Sequence, residues 1–271
     1  MRLRSWNTTA AICAWGLLLG GCGHGAPTPT KASDTTSSGA MPRTEAGPIS
    51  TPARFIADDR VVVIDPGHNG GNAANPGEIN QQVPDGRGKT KACNTTGTSA
   101  SDGYTEHEFN WDVADRVRDT LAARGIRVVM TRDDDTSVGP CVDERADIGN
   151  RSGAAAVVSI HADGAPAGAH GFHIAYSSPP LNSAQEEPSQ RLATTLRDTM
   201  IRSGFTPSTY VGSDGMNPRA DLAGLNLSER PVALVECGNM RDPGDAALIE
   251  SPDGRARYAD AIASAIAAFL G

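Results

Sequence analysis

Three short apolar runs, far apart in the chain, each stop at a side chain able to bind a metal or carry a proton. Val61-Val62-Val63-Ile64 is followed by Asp65-Pro66-Gly67-His68, Ala156 to Ile160 runs straight into His161, and Val232 to Val235 ends at Glu236. The continuous run Val61 to Ile64 fits a strand of a parallel sheet, covered on both faces, and the other two read as further strands. Helical patterns lie between them. One begins after Thr105, where Thr105 and Glu108 have the spacing of a capping box and Phe109, Val113, Val117 and Leu121 recur every four residues until Gly125. Ile126 to Met130 reads as the next strand, Asp143 to Arg151 as a short helix and Gly171 to Tyr176 as a further strand. Ser189 to Arg202 and Arg255 to Leu270 read as helices, the latter with Tyr258, Ile262, Ile266 and Phe269 on one side. The alternation predicts an α/β fold, a mostly parallel sheet with helices packed on it, as a single domain over residues 55–271. Ligand sites of such sheets lie beyond the carboxyl ends of the strands. His68, His161 and Glu236 should therefore converge on one edge. A lone histidine after a strand is usually structural, but two histidines and a glutamate at equivalent ends form a constellation.

The remainder of the chain bears on where that domain works. Residues 1–21 read as an export signal: Arg2 and Arg4 form a positive start without any acid, and Ala10 to Leu19 is a short apolar stretch. Its ending, Leu19-Gly20-Gly21-Cys22, resembles a bacterial lipobox, which makes Cys22 a candidate for lipid modification. Ordinary secretory cleavage near Gly21 to Gly25 is the alternative, so the expected location is outside the cytoplasm, lipid-anchored at the membrane face or secreted. Residues 22–54 read as a disordered tether; positions 23–50 hold four Pro, four Gly and nine Ser or Thr, too little apolar surface to offset chain entropy. The 24 Lys and Arg against 32 Asp and Glu leave a formal charge of −8, so nucleic acid is not an expected partner. No run of eighteen apolar residues occurs, so the membrane enters only through the anchor. With 4% aromatic residues, the core must be built from Val, Ile, Leu and Ala.

Export also makes oxidation available to cysteines. Cys93 and Cys141 lie in polar, Gly-rich surroundings and are the expected disulfide, stapling an otherwise structureless insertion between Gly70 and Gly103 to the loop after Arg132. Two unpaired thiols are the alternative. Cys237, at the end of an apolar strand, reads as a small buried hydrophobe.

Catalytic zinc takes three protein ligands and leaves one position to water. Two histidines are in hand, and the helix start offers Glu106, His107 and Glu108. Glu106 lies three and seven positions before Phe109 and Val113, so it shares the buried stripe and is the favoured ligand. His107, on a partly exposed flank, is its rival, and Glu108 is accounted for as the capping acid. Asp65 beside Pro66-Gly67 reads as a turn former, with a supporting role behind the ligands as the other possibility.

Together, Val62 to His68, Glu106, Thr131-Arg132, Arg145 with Asn150, Ser159 to Asp163 and Leu234 to Asn239 resemble the zinc-dependent N-acetylmuramoyl-L-alanine amidases of bacterial cell walls, the family-3 type. The likeness runs in order from about Val61 to Leu270. It implies a twisted sheet flanked by helices on both faces, one zinc ion per chain, and hydrolysis of the amide between the lactyl group of N-acetylmuramic acid and the L-alanine of the peptidoglycan stem peptide. By motif position, His68, Glu106 and His161 would be the zinc ligands and Glu236 the catalytic carboxylate. Two departures stand out. Many relatives have Lys where this chain has His107, and they often have a shorter segment before the glutamate, which makes residues 72–102, pinned at Cys93, a candidate shaper of the cleft.

Zinc lowers the pKa of water and polarises a carbonyl, and Glu236 could shuttle the proton to the departing nitrogen. Arg145 could hold a substrate carboxylate, although an arginine near Asp143 and Asp147 is more often a structural ion pair. Arg219 and Asp221 are candidates for contact with the stem peptide, and His170 and His173 are expected to face solvent. A zinc peptidase cutting within the stem peptide and a non-catalytic peptidoglycan-binding protein are the competing readings.

Overall fold

Val61 to Ile64 form the inner part of β1 (Asp58–Pro66), in a computed structural model that describes residues 58–271. The export signal, Cys22 and the tether lie outside the described residues. After β1 comes a segment expected to be structureless, and the structure corrects this: a 3-10 turn at Asn72–Ala74, the short helix α1 (Pro76–Ile79), and a two-stranded antiparallel hairpin of β2 (Gln82–Pro84) and β3 (Thr90–Ala92). Its ends are tied down. The Cys93–Cys141 disulfide is formed, the Cys93 amide donates to the Gln81 carbonyl, and the Val142 amide donates to the Cys93 carbonyl. Polar, short-stranded sequence of this kind carries no strong periodicity, so its order was not legible from pattern alone.

The next elements follow the expected alternation. Helix α2 (Glu106–Ala123) leads into β4 (Ile126–Met130), α3 (Val142–Arg151) and β5 (Ala156–Asp163). Strand β6 (His173–Ser177) precedes α4 (Glu187–Arg202), which begins two residues earlier than the apolar pattern because Pro188 is tolerated in a first turn. Three elements escaped the pattern: β7 (Met216–Arg219), the four-residue helix α5 (Ala223–Asn226), and α6 (Pro243–Glu250). Strand β7 has no β-branched residue and contains Pro218, which is admissible because β7 is an edge strand. Helix α6 is capped by Asp242, whose carboxylate accepts from the Gly244 and Asp245 amides. Between α5 and α6 runs β8 (Val232–Asn239), and α7 (Pro252–Leu270) closes the chain.

The six-stranded sheet has the order β4-β1-β5-β8-β6-β7. Strands β4, β1, β5 and β8 are mutually parallel; β6 runs antiparallel to β8, and β7 parallel to β6. Side chains alternate between two apolar layers. Val62, Ile64, Val158, Ile160, Ala233 and Val235 pack with α2, α4 and α7, while Val63, Val157, Val232 and Leu234 pack on the opposite side with Leu225 of α5 and Ile148 of α3. Helices thus cover both faces. Period two then fixes which layer each strand-end residue joins: Ser159, His161 and Asp163 continue the Val157 side, and Glu236 continues the Val232 and Leu234 side.

The Cys93–Cys141 bridge closes a loop 48 residues apart in sequence. Reducing it should lower the unfolding free energy by about 2–4 kcal/mol, chiefly by freeing the unfolded chain. Denaturant titration with and without reductant measures this, and an unchanged midpoint would show the staple to be energetically idle.

Candidate active site

The turn after β1 delivers the first histidine. His68 has a backbone φ of 60°, a conformation that a non-glycine residue adopts at a cost of about 1–3 kcal/mol and keeps only when its surroundings impose it. Two buried arginines impose it. Arg145, 4% exposed, donates to the carbonyls of Pro66 (2.6 Å), His68 (2.9 Å) and Pro140 (2.9 Å) and to Asp65 Oδ1 (2.9 Å). Arg132 donates to the Pro66 carbonyl (3.0 Å), the His107 carbonyl (3.0 Å) and Asp135 Oδ1 (2.8 Å). Two roles left open by the sequence bear on this turn. Arg145 makes the structural ion pair that its acidic neighbourhood suggested, with Asp65 as its partner. Asp65 is more than a turn former, because its carboxylate also accepts from Thr131 (2.6 Å) and Ser159 (2.6 Å) and so joins three elements beneath the turn.

Gly67 is required by close approach. A Cβ there would stand 2.1 Å from His161 Cε1, so the absence of a side chain is what lets the second histidine lie against the turn. Its ring meets His68 edge-on, with centroids 5.0 Å apart. Glu106 reaches both from the first turn of α2. Its Oε1 is 3.1 Å from His68 Nε2 and 2.9 Å from His161 Nδ1, while Oε2 accepts the Thr98 amide at 2.9 Å. Glu106 is only 5% exposed, as the helical stripe predicts. Burial pushes its carboxyl up, and the two histidines more than offset this, holding it well below the usual range. The rival is elsewhere: His107 Nδ1 lies 2.8 Å from Asp135 and its Nε2 3.0 Å from Thr105 Oγ1. Glu108 completes the capping box with Thr105, as its spacing implied.

Donor atoms of His68, Glu106 and His161 all lie within 4.8 Å of one another, the one such group of histidine, cysteine and acidic side chains among the described residues. Their chemistry suits a metal. Four ligands arranged tetrahedrally at about 2.0–2.1 Å from zinc stand about 3.3 Å apart, and the two separations from Glu106 Oε1, 3.1 and 2.9 Å, lie close to that spacing. His68 Nδ1 is 3.1 Å from the Thr95 carbonyl, the kind of outer contact that presents the opposite ring nitrogen to an ion.

Glu236 stands next to His161 in the β5–β8 register. Its Oε2 is buried and has no hydrogen-bond partner among the described residues, and burial together with the charges of Glu106 and Asp163 pushes the carboxyl well above its usual range. On its other side the β6–β8 register places His173. That residue was expected to face solvent and is instead 2% exposed, its pKa lowered to about 4 chiefly by burial. The sequence hid this because the strand that covers His173 lies some sixty residues downstream. His170 stays in the surface loop, against the Gly168 carbonyl. Asp163, overlooked although it lies two residues after His161 and so on the same face, accepts from the Tyr210 hydroxyl at 3.1 Å, and the Tyr210 ring packs edge-on against His173. Arg219 is held by Asp221 in a two-point ion pair at 2.6 and 2.7 Å. An apolar cavity of about 170 Å³ leads from His68 and His161 under the β2–β3 hairpin, bounded by Val142, Leu222, Leu225 and Leu234.

A family profile described as N-acetylmuramoyl-L-alanine amidase matches residues 62–268, which takes in every element of this site. The chain belongs to this family. Similar proteins support the assignment over nearly the whole domain. An N-acetylmuramoyl-L-alanine amidase of Mycobacterium tuberculosis is 49% identical over 221 residues, 82% of this chain and 90% of the relative. The crystal structure of the amidase Ami1 of Mycobacterium smegmatis superposes with a TM-score of 0.77 at 54% identity, covering 79% of this chain and 98% of that one. The apo form of Ami1 from Mycobacterium abscessus gives 0.76 at 52% identity, with 79% and 99% covered. The amidase is accordingly a hydrolase acting on peptidoglycan, and the cluster at the strand ends is one that could bind a metal.

Proposed function

We propose that the amidase cuts the bond between N-acetylmuramic acid and L-alanine at the strand-end cluster, with one zinc ion held by His68, Glu106 and His161 and with Glu236 as the proton carrier. The observation that carries this reading is the convergence of two imidazole nitrogens on one carboxylate oxygen at 3.1 and 2.9 Å, with Glu236 on the adjacent strand. When bound, zinc would supply Lewis acidity toward the amide carbonyl and lower the pKa of water to about 7. Glu236 then accepts a proton from the attacking water at its carboxylate, and the water oxygen bonds to the lactyl carbonyl carbon. As the carbon–nitrogen bond breaks, Glu236 returns that proton to the alanine nitrogen, which leaves as an amine. Arg145 and Arg132 keep the His68 turn in place throughout, so one ligand is positioned without reorganisation.

A peptidoglycan substrate puts the amidase outside the cytoplasm. We assign the export to residues 1–21 and the attachment to a lipid on Cys22, supported by the Leu-Gly-Gly-Cys sequence.

Two measurements test the reading. Mass spectrometry of digested muropeptides should show intact stem peptide beginning at L-alanine together with peptide-free lactyl sugar; a shortened stem would mean a peptidase, and binding without products a non-catalytic protein. Metal analysis should find about one zinc per chain and a His161→Ala variant largely depleted of it, whereas undiminished zinc would remove His161 from the ligand set.

A further inference from the structure

Beside the cluster lies a second cavity, of about 260 Å³ and polar, walled by Asn69, Gly70, Gly97, Thr98 and His107, with Arg241 at its rim. It shares a wall with the metal ligands. The Thr98 amide bonds Glu106 Oε2, and a Cβ on Gly97 would stand 2.8 Å from that same oxygen and 3.0 Å from His68 Cδ2. The cavity is therefore separated from Glu106 and His68 by the backbone of Gly97 and Thr98, a wall about one residue's span, ~3.8 Å, thick.

Arg241 has its donors free. Its backbone amide bonds Asn239 Oδ1 at 3.0 Å, but its guanidinium makes no hydrogen bond or ion pair among the described residues. The adjacent Asp242 is occupied in capping α6. The other arginines at this edge are committed: Arg132 to Asp135, Arg145 to Asp65 and Arg219 to Asp221. In a chain of formal charge −8, a free guanidinium at the mouth of a polar cavity is a selective place for an anion, and its planar fork matches a carboxylate.

The chemistry of the substrate says which carboxylate. On the sugar side the lactyl carboxyl is consumed in the scissile amide and the glycan is otherwise uncharged. Free carboxylates occur only on the peptide side, and the first of them belongs to the residue after L-alanine, a glutamate joined through its γ-carboxyl whose α-carboxyl is free in some walls and amidated in others. We propose that this cavity receives the stem peptide and that Arg241 binds the free α-carboxylate of its second residue, which makes the amidase selective for unamidated stems. The proposal rests on reading the His68, Glu106 and His161 cluster as the place of cleavage.

The test uses two muropeptides that differ only in whether that carboxyl is free or amidated. The zinc-loaded wild type should favour the free acid by about 10-fold or more in kcat/KM, as loss of one charge-assisted contact predicts. In Arg241→Ala the ratio should fall to near one, with the change in KM, and Arg241→Lys should keep part of it. A wild type that does not discriminate, or an Arg241→Ala ratio equal to that of the wild type, would overturn the proposal. Calorimetry with L-alanyl-γ-D-glutamate and its α-amide gives a readout without turnover: the acid should bind more tightly, and only while Arg241 is present. If neither muropeptide is cleaved at the amide, the reading of the cluster fails, and the calorimetric preference still decides whether Arg241 holds the carboxylate.

Discussion

Glu236→Gln should fold and hold zinc as the parent does while losing about 10²–10⁴-fold in kcat, the usual worth of a positioned acid–base group. The substitution keeps the shape of the side chain and removes its ability to take a proton. Three observations make the effect large. Glu236 sits beside His161 in the sheet register, one carboxylate oxygen is buried without a partner among the described residues, and the group of side chains that could hold a metal does not include it. Release of stem peptide measured alongside metal content separates the outcomes. Loss of zinc in the variant would make Glu236 a ligand and reopen the role of Glu106; activity within a few-fold of the parent would move the proton shuttle to another residue.

Replacing Arg145 should be severely destabilising, about 3–5 kcal/mol for Arg145→Met, because it leaves the buried Asp65 carboxylate without its cation and the carbonyls of His68 and Pro140 without their donor. Equilibrium unfolding measures the loss, and zinc affinity should fall with it as the His68 turn loosens. A double variant with Asp65→Asn should cost less than the sum of the two single changes. The same pair sets the response to acid. Burial raises the Asp65 carboxyl, but the Arg145 charge and the hydrogen bonds from Ser159, Thr131 and Arg145 outweigh it and hold the group at about 2, against 3.8 for an ordinary aspartate. A depressed carboxyl contributes its stability, here about 2 kcal/mol, above the unfolded value and loses it as pH falls from about 4 to about 2. In Arg145→Met the carboxyl is no longer held down, so the fall in stability between about pH 4 and pH 2 should flatten; a slope as steep as the parent's would show that Asp65 does not govern it.

Much of this site was legible because it depends on local regularities. Strand runs ending in His68, His161 and Glu236 put those residues at carboxyl ends, and the four-residue stripe of α2 turned Glu106 inward and left His107 on the flank, where Asp135 and Thr105 hold it. What stayed hidden depends on partners remote in sequence. Arg145 sits on a short helix among acids, the usual setting of a surface ion pair, and only the crossing of α3 beneath β1 turns it into the clamp of the first histidine. His173 follows a polar loop, and its burial comes from packing beside β8 and Tyr210. The order in residues 72–102 comes from the Cys93 bridge and a few backbone hydrogen bonds, none of which leaves a periodic mark. Arg241 carries no signal of its own, since a free guanidinium is recognised only by surveying where its neighbours have been spent.

The reversal of β6 also decides where this scaffold tolerates remodelling. Had β6 run with β8, the loop leaving it would border the catalytic edge; running against β8, it brings its first residue, His173, beside Glu236, and the entering loop at 164–172 becomes part of the rim. The turns that enter β5 and β8, at 152–155 and 228–231, open on the opposite edge of the sheet. A wall-binding module or a label grafted into those turns leaves the cleft clear, while a change of length at 164–172 redraws the boundary that an incoming glycopeptide meets.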